Sequence, residues 1–89
     1  MRSVYVSLPS VEVVQKFVES ISPLDGDFDL LSGGYVLDAK SLMGILCLDL
    51  TKPLLLNVER DIEEAMKALE SFIVVKEEES QQLTDKRSK

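Results

Sequence analysis

Residues 3–8 alternate around Val4 and Val6, the two-residue period of a half-buried strand, until Pro9-Ser10 breaks the rhythm. Val11, Val14, Phe17, Val18 and Ile21 then recur at helical spacing, with Glu12, Gln15, Lys16, Glu19 and Ser20 between them. This pattern predicts an amphipathic helix with one buried face. Ser10 is placed to cap it, because a serine hydroxyl can accept one of the backbone N–H groups that the first turn leaves unpaired. Proline and glycine in the stretch 22–26 require the helix to stop there.

Residues 27–32 and 35–38 flank Gly33-Gly34, a two-residue loop whose glycines can adopt the positive φ of a tight hairpin turn. Phe28 and Leu30 are expected to point inward, with Asp25, Asp27 and Asp29 in the turn before the strand and on its solvent side. Residues 41–48 are too densely apolar for an exposed strand, and they predict one or two turns of helix capped by Ser41. Residues 49–53 connect to a strand over 54–59. Ile62, Ala65, Met66, Leu69, Phe72 and Ile73 keep the 3.6-residue period over three turns, with Asp61 and Glu64 at the spacing of a capping box. From Lys76 the chain is polar and aperiodic, so residues 1–75 are expected to form one domain and 76–89 a disordered tail. The order βαββαβα suits an α+β fold, a four-stranded antiparallel sheet with helices on one face.

Composition narrows the function. Eighty-nine residues allow one compact core, and 45% hydrophobic with 29% charged residues is the balance of a soluble globular chain. No apolar run approaches the roughly 18 residues of a membrane span, and the first residues lack a signal-peptide pattern. A cytoplasmic location is the expectation. The net charge is −6, and residues 76–89 hold four acids and four bases, so the excess belongs to residues 1–75. A nucleic-acid partner would require a basic surface instead.

Candidate chemistry is sparse. Cys47 is the one cysteine and the chain has no histidine, so no internal disulfide can form, and the apolar run around Cys47 predicts a buried structural thiol. Asp25, Asp27 and Asp29 imitate the start of a calcium loop, but Leu30 and Val36 stand where that loop needs glycine and glutamate. Gly33-Gly34 lacks the lysine-serine continuation of a phosphate loop. No cofactor, no metal and no catalytic pairing is expected.

The stretch Tyr35-Val36-Leu37-Asp38-Ala39-Lys40-Ser41-Leu42-Met43-Gly44-Ile45-Leu46 resembles HPr, the small phosphocarrier of the sugar phosphotransferase system. There a hairpin strand likewise runs into an Ala-Lys-Ser-(Ile/Leu)-Met-Gly helix start. Residues 63–69 are similar to that family's final helix, and the likeness covers about 3–75. It implies an open-faced β-sandwich. Counted back from Ser41 without gaps, the family's catalytic histidine falls on Ser10 and its arginine on Glu12. Phosphohistidine transfer needs an imidazole nucleophile and a cation against the developing charge. A serine followed by a carboxylate supplies neither, so the chain resembles the histidine-lacking members found in Firmicutes.

In HPr proteins of Gram-positive bacteria the serine matching Ser41 is phosphorylated by a dedicated kinase, and certain histidine-lacking paralogues keep only that function. The resemblance therefore implies phosphorylation at Ser41 and partner binding by Lys40, Leu42, Met43 and Leu46. The competing reading is plainer: Ser41 is only a cap contributing about 1 kcal/mol, and the apolar residues are core. The expected function is noncatalytic and regulatory, with an HPr serine kinase or a transcriptional regulator as partner. The alternative is a purely structural interaction module unrelated to sugar phosphotransfer.

Overall fold

The computed structural model describes residues 1–75; the tail expected over 76–89 lies outside the described residues. The chain forms eight elements in order: β1 (Arg2–Val6), α1 (Val11–Ile21), β2 (Phe28–Ser32), β3 (Tyr35–Asp38), α2 (Leu42–Ile45), β4 (Leu54–Val58), α3 (Ile62–Leu69) and β5 (Ile73–Val74). The strands form one antiparallel sheet in the order β3-β2-β4-β1-β5. The expected α+β open-faced architecture is present, with one correction: the sheet has five strands, not four.

The fifth strand arises because α3 ends earlier than its apolar period. Phe72 N–H donates to the Leu69 carbonyl at 2.8 Å and closes a turn, and Ser7 N–H then donates to the Phe72 carbonyl at 2.9 Å. Ile73 and Val74 accordingly pair with Val6 and Tyr5. Both Phe72 and Ile73 keep helical spacing in the sequence, yet they reach the core from a turn and a strand. Spacing reports which positions are apolar, and here the unpaired edge of β1 decided the backbone. The capping box at α3 is a second correction. Asp61 adopts a left-handed φ of 53° and its side chain makes no cap hydrogen bond, while Glu63 and Glu64 occupy the first turn.

One face of the sheet carries the core. Val6, Leu30, Leu54, Leu56 and Val58 point to the helices and are at most 4% exposed, and they meet Val14, Phe17, Ile21, Ala65 and Leu69. Phe28 and Leu30 are inward as their alternation predicts. The Phe17 and Phe72 rings meet edge to face, 5.6 Å apart at 86°, which adds about 0.5–1.5 kcal/mol to what burial alone contributes. Val11, by contrast, is 55% exposed, so the buried stripe of α1 begins at Val14.

Candidate functional site

The β2–β3 hairpin turns at the expected Gly33-Gly34: Ser32 pairs with Tyr35, and Gly33 has φ 59°. From β3 the chain passes Ala39, which is fully buried, and Lys40 before entering α2. Ser41 is extended at φ −93° and ψ 97°, and its Oγ accepts the Gly44 N–H at 3.3 Å. The expected cap is therefore in place. Gly44 gives this turn room, since a Cβ there would lie 3.0 Å from Ser41 Oγ and 3.3 Å from Leu37 Cδ1 and press on the cap.

The four candidate partner-binding residues do not form one exposed patch. Lys40 is half-buried: its N–H donates to Asp38 Oδ1 at 2.9 Å, its Nζ donates to the Leu24 carbonyl at 2.6 Å, and the same Nζ stands 5.4 Å from the Phe28 ring centroid. It ties the loop after α1 to the end of the hairpin, a scaffold contact with a cation–π component. Leu42 and Leu46 are half-buried and pack against the core. Met43 is 74% exposed. A four-residue helix can bury few of its apolar positions, and here the fully buried one is Ile45.

The apolar run also misled on its cysteine. Cys47 is exposed rather than buried, because Ile45 takes the inward position and Leu46 and Leu48 pack against the core on either side of the cysteine. After α2, Asp49 Oδ1 accepts from Thr51 Oγ1 at 2.6 Å and from Thr51 N at 3.0 Å. These bonds, the hydroxyl's first, hold the Asp49 carboxyl below its ordinary value.

Ser10, where the phosphocarrier family has its histidine, is an exposed helix cap. Its Oγ accepts the Val13 N–H at 3.2 Å, and Glu12 adds a carboxylate in the same first turn. Ser41 is likewise exposed, and its hydroxyl oxygen accepts an N–H rather than giving its proton to a base. Among the described residues neither hydroxyl is shown donating to a base, so neither serine is activated as a nucleophile by them. Among the described residues no group of three or more His, Cys, Asp or Glu is placed to hold a metal ion, and no helix is long and apolar enough to cross a membrane.

No family model matches the chain, and no curated protein matches it. Among solved structures it is similar to the crystal structure of HPr-C-His from Thermoanaerobacter tengcongensis, with 26% sequence identity and a TM-score of 0.67. The match covers 80% of this chain and 89% of that one. Residues, sheet order and this likeness agree that the chain has an HPr-like fold.

Proposed function

We propose that this HPr-like protein acts without catalysing a reaction, by binding a protein partner through the surface around α2, and that phosphorylation of Ser41 switches the binding. The observation that carries the reading is an exposed Ser41 hydroxyl two residues from the exposed Met43, in a chain that has no histidine. A kinase would remove the hydroxyl proton, Ser41 Oγ would attack the γ-phosphorus of ATP, and ADP would leave. The product carries about two further negative charges beside an apolar side chain. A partner reading that state would offer an apolar pocket for Met43 and an arginine cluster for the phosphate. Methionine suits such a contact because its unbranched thioether adapts to irregular pockets.

Incubation with an HPr serine kinase and ATP should yield a species heavier by about 80 Da, absent in Ser41→Ala. Unmodified wild type would sink the switch and leave the second reading, an interaction module in which Ser41 is only the α2 cap; the Oγ–Gly44 bond favours that reading. Phosphoenolpyruvate with the first enzyme of the phosphotransferase system should leave the chain unmodified, since no imidazole is present to accept the phosphoryl group. Stoichiometric labelling would overturn this.

A further inference from the structure

The helices cover one face of the sheet, and the opposite face carries an ordered pattern of its own. Directly opposed residues in antiparallel strands project to the same side. Val36 opposes Leu31, Leu31 opposes Leu55, Leu55 opposes Tyr5, and Tyr5 opposes Val74. Five apolar or aromatic side chains thus form one row across all five strands. None of them belongs to the core cluster or packs against it; Val36 is 65% exposed and the other four are half-buried.

The neighbouring row is polar and acidic. Ser3 opposes Asn57, Asn57 opposes Asp29, and Asp29 opposes Asp38. Ser3 Oγ donates to Asn57 Oδ1 at 2.6 Å, but the two aspartates face each other, an arrangement that disfavours the isolated sheet. Among the described residues neither carboxylate is in an ion pair. Beside the apolar row lies a groove of about 550 Å³ lined by Tyr5, Leu31 and Leu55 together with Gly33, Asp49 and Lys52.

A sheet face with an apolar row is stable when another layer lies on it. The shape of the row selects what fits. A second sheet would need several apolar rows to interdigitate, whereas this stripe is one residue wide and spans four strand spacings, about 19 Å. That matches the linear stripe of a helix of about 13 residues at 1.5 Å rise. A second copy of the chain fits poorly. Each copy carries a net charge of −6, so a second copy would set like charge against the acidic row. The acidic row calls instead for basic side chains along one flank.

We infer that the open sheet face is a second docking surface, distinct from the α2 surface, and that it receives a cationic amphipathic helix of a partner protein. Leucine-like residues lie along Val36, Leu31, Leu55, Tyr5 and Val74, and lysines or arginines meet Asp29 and Asp38. The binding should weaken with salt, because exposed charges carry part of it.

The test uses the full chain, isotope-labelled, titrated with a synthetic 18-residue peptide bearing leucines at i, i+3, i+4 and i+7 and lysines elsewhere. Amide shifts should centre on Tyr5, Leu31, Val36 and Leu55. Leu31→Lys with Leu55→Lys should weaken binding at least tenfold. Asp29→Asn with Asp38→Asn, which removes the opposed charges and so cannot threaten the fold by repulsion, should weaken it severalfold and flatten its salt dependence. Met43→Lys should leave it unchanged. Shifts confined to α1 and α2, an affinity indifferent to both double variants, or no binding at millimolar peptide would each overturn the inference. So would a dimer that Leu31→Lys with Leu55→Lys dissociates, which would give the face to a second copy. Row amides that move, without peptide, on reversing the charges of Lys86, Arg87 and Lys89 would give it to the chain's own end and overturn it equally.

Discussion

Ser10 and Ser41 do the same local work at the starts of α1 and α2. Each is extended, exposed, and accepts a backbone N–H from three residues on, at 3.2 and 3.3 Å. The helices behind them differ. Ser10 opens an eleven-residue helix that buries Val14, Phe17 and Ile21 and places Glu12 in its first turn. Ser41 opens a single turn that buries Ile45, has no acid in its first turn and leaves Met43 in solvent. Two similar caps therefore serve different ends: α1 commits Val14, Phe17 and Ile21 to the core, and α2, with Ile45 buried and Leu42 packed inward, leaves Met43 to the outside. A phosphate on Ser10 would meet the Glu12 carboxylate, whereas one on Ser41 would meet no acid in the first turn of its helix.

The comparison breaks first at the cores of the two helices. Phe17→Ala should destabilise by about 3–5 kcal/mol, since it removes a fully buried ring together with its contact to Phe72. Ile45→Ala should cost about 2–5 kcal/mol. Denaturant titration reads both, and an Ile45 effect above that of Phe17 would mean that α2 is the better anchored element. The caps come next. Ser10→Ala and Ser41→Ala should each cost about 1 kcal/mol, and a difference beyond twofold between their effects on stability would show that the two caps are not equivalent. Met43→Lys should change stability by no more than about 0.5 kcal/mol, as exposed substitutions do. A melting transition lowered by more than about ten degrees, well beyond what so small a change produces in a domain of this size, would remove Met43 from the solvent-facing side, and with it the contrast between the helices.

Much of this was legible in the residues. The 3.6-residue spacing located α1, with Val14, Phe17 and Ile21 buried as expected, and the glycine pair located the hairpin. Both serine caps are where the hydroxyls predicted them. The errors share a cause. Val11, Cys47, Phe72 and Ile73 are apolar positions whose surroundings are set by what the rest of the chain brings near. Among the described residues Val11 and Cys47 found no partner surface, while Phe72 and Ile73 found one through a turn and a strand. Lys40 shows the same dependence on distant segments: the loop after α1 brings the Leu24 carbonyl and the Phe28 ring within its reach, contacts that its place in the sequence does not announce.

The sequence by itself determined the absence of histidine chemistry, the alternation of inward and outward residues, the two caps and the HPr-like order of elements. These are properties of single residues or of neighbours a few positions apart, which backbone sterics and local hydrogen bonding settle without reference to the rest of the chain. Only the tertiary structure decided that Met43 faces solvent while Leu42 packs inward, that β5 closes the sheet beside β1, and that residues as distant as Val36 and Val74 fall into one row. Such a row depends on the register of four strand pairings, and register is a property of contacts between segments far apart in sequence.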